Sequence, residues 1–162
     1  MNTIAYLGIG TNLGERLAYL QGAVDGLHAA DGVAVRAVSA VYETAPIGGP
    51  QQGAFLNAVV VVDTTLRPLG LLRVAQRLEG EAQRVRVERW GPRTLDVDVL
   101  LFGDYESAAV ELTIPHPRLG ERAFVLMPLA DVAPEIVAAR GYVVPTDQGV
   151  EQFGECIVAP IL

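Results

Sequence analysis

Residues Val33 to Val62 read VAVRAVSAVYETAPIGGPQQGAFLNAVVVV. Its first ten residues, Val33 to Tyr42, alternate in character and are rich in valine. Its last eight, Phe55 to Val62, are apolar and largely β-branched. Both patterns predict strands. Between them Glu43 to Gly53 (ETAPIGGPQQG) carries two prolines and three glycines, which predicts a loop. Two strands in succession with no helix between them break the strand-helix alternation of a doubly wound parallel sheet.

Upstream, Thr3 to Ile9 predicts a first strand, with Gly8, Gly10 and Asn12 read as its turn. Leu13 to Ala30 has Leu17, Leu20, Val24 and Leu27 at helical spacing, and Asp31-Gly32 ends it. On the other side, Arg67 or Pro68 opens a second helix with Leu71, Leu72, Ala75, Leu78 and Ala82 on one face, a proline suiting the first turn. Leu95 to Phe102 (LDVDVLLF) predicts a fourth strand, closed by Gly103-Asp104. The order β-α-β-β-α-β is the split βαβ, or ferredoxin-like, arrangement. The predicted fold class is therefore α+β, an antiparallel sheet with helices on one face. C-terminal additions follow from about Tyr105: a short strand, a turn at Ile114-Pro115-His116-Pro117, a helical stretch near Phe124 to Val132 and a weak last segment. The 162 residues predict one domain, 1–162.

Composition narrows the function. The net charge of −7 argues against non-specific binding to nucleic acid or an anionic membrane. No apolar run reaches the length of a membrane span. The start, MNTIAYLGIG, lacks the basic region of a signal peptide and reads as strand. A lone cysteine, Cys156, excludes an internal disulfide and a cysteine-based zinc site, and a cytoplasmic setting is expected. All twelve cations are arginine. Without lysine the chain can hold neither a Walker A loop nor a protein-kinase strand lysine. Arg84, Arg86, Arg89 and Arg93 crowd one loop, with Arg118 and Arg122 as a second pair. Such clusters fit either a solvated charged face or a polyanion site, since the guanidinium fork matches phosphate.

Asp96 and Asp98 lie two apart on the fourth strand, so they share a side, opposite Leu95, Val97 and Val99. They fit solvated acids on an exposed strand face. They also fit a magnesium site, because magnesium takes few carboxylates plus substrate phosphates. The adjoining arginine loop favours a metal-bound polyphosphate. Trp90, the only tryptophan, lies in that loop as either a lid residue or a loop anchor. Phe55 and Asn57 share a strand face and could stack on and hydrogen-bond a flat heterocycle, although phenylalanine is commonly core and asparagine commonly turn chemistry. His116, between two prolines, could meet phosphate or move a proton, or do neither. Phe124 is a second aromatic candidate. Gly8-Ile-Gly10-Thr-Asn-Leu-Gly14 is GxGxxxG, near the dinucleotide fingerprint G-x-G-x-x-G but not that motif. The acidic residue expected after strand two is missing, Arg36 could at most mimic an NADP preference, and the glycines read as tight-turn chemistry.

The segments GIGTNLGE, YETAPIG, FLNAVV, RVRVERWGPRTLDVDVLLFG and IPHPRLGERAFVLMPL, in that order, resemble the hydroxymethyl-dihydropterin pyrophosphokinases of folate biosynthesis. The resemblance covers about Ile4 to Pro134. It implies transfer of pyrophosphate from ATP to 6-hydroxymethyl-7,8-dihydropterin, giving the pterin diphosphate and AMP. It implies two magnesium ions on Asp96 and Asp98, and ATP contacts from Glu79, Arg84, Arg86, Arg93, Val99, His116 and Arg122, with Arg84 and Arg93 also catalytic. A pterin pocket is implied at Thr44, Ala45, Ile47, Phe55, Asn57, Trp90 and Phe124. A monomer is expected. Position 55 is tyrosine and position 45 proline in many members, and Glu111 and Gly120 stand where some carry basic residues. The competing reading is a non-catalytic ferredoxin-like metabolite-binding domain, with an NADP oxidoreductase a third.

Overall fold

The computed structural model describes residues 2–12, 15–44, 54–83 and 95–160. The elements are β1 (Thr3–Thr11), α1 (Arg16–Ala29), β2 (Val33–Val38), β3 (Tyr42–Thr44), β4 (Phe55–Thr64), α2 (Pro68–Gln83), β5 (Asp96–Phe102), β6 (Ser107–Ala108), β7 (Thr113–Ile114), a 3-10 turn (Leu119–Glu121), α3 (Ala123–Val132), α4 (Pro134–Ala139) and β8 (Val150–Gln152). The main sheet runs β5-β1-β4-β3-β8, with β2 also on β4, and every pairing is antiparallel. That is the predicted βαββαβ core. Helix α1 returns the chain so that β2 runs parallel to β1, and β4 separates the two.

Alternation along the strands sorts the side chains into two layers. Ala5, Leu7 and Ile9 of β1, Leu56, Ala58, Val60 and Val62 of β4, and Val97 and Val99 of β5 all point to one side. There they meet Leu20, Ala23, Val24 and Leu27 of α1 and Leu71, Ala75 and Leu78 of α2. The spacing of those residues is the three-and-four pattern of an amphipathic helix. Gly26 lets the helices close up: a Cβ there would stand 2.6 Å from the Leu78 Cδ2.

The core helices α1 and α2 lie on one face as expected, and the C-terminal additions α3 and α4 pack on the other, where Leu126, Leu129, Ala133 and Val137 bury Val59, Leu100 and Leu101. The β5 residues Leu100 and Leu101 both reach that layer because the β1–β5 register slips beside them, Tyr6 facing Leu101 and Leu7 facing Val99. The second strand is not continuous from Val33 to Tyr42. The Ser39 hydroxyl accepts the Val59 N–H at 2.8 Å, a bond the ladder would otherwise give to a backbone carbonyl, and β3 resumes at Tyr42. A serine side chain thus substitutes for the backbone and lets the chain jog. The first strand does not turn at Gly8 and Gly10; it continues through both to Thr11. The weak C-terminal segment forms β8, which extends the sheet at β3.

Candidate active site

The site lies on the sheet face opposite α1 and α2. Asp96, Gly10 and Asn57 are successive cross-strand partners over β5, β1 and β4, and Asp98, Gly8 and Val59 form the next row. Neighbouring strands are spaced by about 4.8 Å, so Asp96 and Asn57 stand about 10 Å apart across the row. Between them β1 presents no side chain. A Cβ on Gly10 would come within 2.7 Å of the Asn57 Oδ1, and one on Gly8 would touch Leu100. The two glycines read as turn chemistry are the bare floor of a trough.

Over that floor lies an open cavity of about 630 Å³, within the size range of small-molecule sites. Asp96 and Asp98 line one side. Thr44, Phe55 and Asn57 line the other, His116, Arg118 and Arg122 form part of the rim, and Phe124 comes from the start of α3. Asn57 is 8% exposed, and its Nδ2 donates to the Thr44 Oγ1 at 3.1 Å. That bond fixes the amide plane and turns Oδ1 over Gly10. The Arg122 guanidinium stands 5.4 Å from the centre of the Phe124 ring, a cation–π distance.

The His116 backbone N–H donates to the Leu100 carbonyl, holding the residue beside β5. The Arg118 N–H donates to the His116 Nδ1 at 3.3 Å, which leaves Nε2 to carry the proton of a neutral ring. Burial lowers the His116 pKa; Asp98 pulls it up, while Arg122 and Arg118 add to the lowering. At neutral pH His116 is therefore a hydrogen-bond donor through Nε2.

Two sequence candidates sit outside the cavity lining. The Val99 side chain is in the core beneath the sheet. The Glu79 carboxylate accepts the Val97 N–H at 2.9 Å, so α2 grips β5 between the two aspartates. Arg84, Arg86, Arg93, Ala45, Ile47 and Trp90 lie outside the described residues. Sequence reasoning missed Gly8 and Gly10 as floor residues and Gln148 as a lining residue. The strand alternation that pairs Asp96 with Asp98 would have found the glycines had β1 been carried to Thr11. No local pattern marks Gln148. Arg36, the residue weighed for an NADP phosphate, is paired with Asp63 at 2.9 Å, and among the described residues no two neighbouring strands of the sheet are parallel, as a dinucleotide crossover would make them.

A profile of the 7,8-dihydro-6-hydroxymethylpterin-pyrophosphokinase (HPPK) family matches residues 6–134. The chain belongs to the HPPK family. It is similar to the Bacillus subtilis 2-amino-4-hydroxy-6-hydroxymethyldihydropteridine pyrophosphokinase, 46% identical over 136 residues, covering 84% of this chain and 81% of that protein. It is also similar to the Methylorubrum extorquens protein of the same name, 49% identical over 135 residues, covering 83% and 85%. Among solved structures, wild-type Plasmodium falciparum HPPK-DHPS with pteroate matches with a TM-score of 0.62 at 17% identity. That match covers 81% of this chain and 39% of that one, and at this identity it speaks to the fold. The HPPK match runs from Tyr6 within β1 through the rest of the βαββαβ core and ends at Pro134, so the segment bearing Gln148 and β8 lies beyond it.

Proposed function

We propose that this cavity carries the HPPK reaction: the hydroxymethyl oxygen of 6-hydroxymethyl-7,8-dihydropterin attacks the β-phosphorus of ATP. The new O–P bond forms as the bridge to the α-phosphate breaks, AMP departs, and the hydroxyl proton is released. The chain is an ATP-dependent diphosphotransferase of folate biosynthesis. The observation that carries this reading is the row Asp96–Gly10–Asn57, which sets a carboxylate pair and an amide reader at opposite ends of one side-chain-free trough.

Each end suits its ligand. A flat pterin fits against the Phe55 and Phe124 rings, and the Asn57 Oδ1 accepts from its N–H edge. Its hydroxymethyl group then extends over Gly10 toward Asp96. At the other end Arg122 and the His116 Nε2–H face anionic oxygens, with Arg84, Arg86 and Arg93 completing the triphosphate site and Thr44, Ala45, Ile47 and Trp90 the pterin site. Arg84 and Arg93 are the catalytic cations, meeting the charge that grows on the transferred group.

The donor chemistry fits magnesium. Asp96 and Asp98 are hard oxygen donors on one strand face, and among the described residues no cluster of three or more His, Cys, Asp or Glu could hold a metal by itself. Such a pair leaves most of the coordination sphere to phosphate oxygens and water, as magnesium prefers. We place two magnesium ions here; when bound, magnesium supplies positive charge to phosphate and activation of the attacking hydroxyl. A monomer, one domain and a cytoplasmic setting complete the proposal. Among the described residues no helix is long and apolar enough to cross a membrane.

The test is AMP formation from ATP with magnesium and the hydroxymethyl-dihydropterin. AMP should appear one-for-one with the pterin diphosphate and only when the pterin is present. A protein that binds the pterin and releases no AMP would instead be the non-catalytic metabolite-binding domain.

A further inference from the structure

The N-terminus of α3 is held by a residue from far along the chain. Arg122, its capping position, makes no side-chain cap of its own. Instead the Gln148 Oε1 accepts the Ala123 N–H at 2.8 Å and its Nε2 donates to the Glu121 carbonyl at 2.8 Å. One side-chain amide thus grips the backbone on both sides of Arg122 and immediately before Phe124. The same Gln148 lines the cavity.

The grip is anchored. Just after Gln148 the chain enters β8, which pairs with β3 so that Val150 faces Thr44 of the cavity wall. The Phe153 N–H donates to the Val41 carbonyl at 2.8 Å, and the Phe153 ring lies 5.8 Å from the Arg16 guanidinium carbon. Gln21 of α1 bonds both the N–H and the carbonyl of Val158, at 2.8 and 3.0 Å, and Ile157 is buried in the main core. Gln148 therefore hangs from a strap fixed to the sheet edge and to α1, and it transfers that fixed position to the start of α3.

We propose that Gln148 is a positioning residue for the acceptor side of the cavity: its two backbone bonds set the Phe124 ring opposite Phe55 and hold Arg122 beside it. The inference deepens the proposed function and rests on the pterin occupying the Phe55–Phe124 side. Gln148 acts through residues 121–124 and touches no reacting atom.

Gln148→Ala removes both bonds, and Gln148→Met removes both while keeping the length of the side chain. Gln148→Ala should weaken binding of the hydroxymethyl-dihydropterin about five- to tenfold, the equivalent of about 1 to 1.4 kcal/mol, read by fluorescence titration without turnover. The pterin KM should rise with it; the ATP KM should rise less, because Arg122 is one of several groups facing the phosphates, and kcat should stay within about twofold. Gln148→Met should weaken pterin binding to a similar extent, and it carries the test alone if Gln148→Ala fails to fold. Unchanged pterin affinity in the variant overturns the inference. So do parallel losses in pterin affinity, ATP affinity and thermal midpoint, which mark a purely structural role. Failure of the proposed function looks different: the wild-type protein itself then forms no AMP with pterin present.

Discussion

Asp98 and Gly10 illustrate how the candidate site depends on single residues of opposite kinds, one for the group it carries and one for the group it lacks. Asp98 is exposed on the cavity side of β5 while both neighbours are buried beneath the sheet. Replacing it with alanine deletes half of the carboxylate pair and leaves the core untouched. Asp98→Ala should therefore abolish AMP formation with little change in thermal midpoint, and near-normal turnover would refute the metal assignment. Gly10→Ala tests the floor. Its Cβ would need the space now held by the Asn57 Oδ1, 2.7 Å away, so the amide must swing off Thr44. The expected result is weaker pterin binding, by about tenfold for one displaced hydrogen-bonding group, with ATP binding largely kept. Asn57→Ala should show the same selectivity, and equal loss of both ligands in either variant would argue against the assignment. The paired aspartates and the asparagine were legible in the sequence because strand alternation needs only local spacing. The glycines were misread, because a glycine in a strand and a glycine in a turn look alike until the strand's end is known.

At the scale of elements, α3 is what converts a flat sheet face into a cavity. It contains Pro128, whose missing N–H leaves the Phe124 carbonyl without its usual bond within the helix, so packing and side-chain bonds must hold it. One such bond runs from the Tyr42 hydroxyl of β3 to the Asp131 carboxylate at 2.8 Å. Burial, and then this bond and the charge of Asp131, push the Tyr42 pKa up to about 12 from 10.0. The sign follows from linkage: the unfolded chain releases this proton near its ordinary pKa while the folded one keeps it. The stabilisation is complete below pH 10.0 and is lost as pH rises toward about 12. Tyr42→Phe should lower stability by about 1 kcal/mol at neutral pH. Its deficit relative to wild type should shrink through that alkaline window, followed by chemical denaturation at several pH values. A constant deficit would sink the account. The helix itself was legible near its observed bounds. Its side of the sheet was not, since an apolar stripe does not say which of two apolar faces it will cover. The break at Ser39 was hidden for a similar reason: its cause is a hydroxyl bonded to Val59, a residue twenty positions away.

For the whole molecule, both proposed ligands occupy one open cavity between the sheet, α3 and the C-terminal strap, and the sheet row that floors it does not exist in an unfolded chain. Ligands that bind only the folded state stabilise it by mass action, about 2.7 kcal/mol at a hundred times Kd. A non-hydrolysable ATP analogue with magnesium should raise the thermal midpoint by several degrees, and chelation of the magnesium should remove most of that rise. An unchanged shift after chelation would mean that the nucleotide binds without the aspartate pair.

Strand and helix order, the shared side of Asp96 and Asp98, and membership of the HPPK family can all be read from the amino-acid chain before it folds. These depend on periodicity over a few residues and on long local motifs. Tertiary structure alone decided that Gly8 and Gly10 are the trough floor, that α3 closes the face opposite α1 and α2, and that Gln148 reaches back to cap α3. Each is a meeting of residues brought together by strand pairing or helix docking, and the free energy that selects such a meeting comes from packing across the whole chain rather than from any segment's own preference.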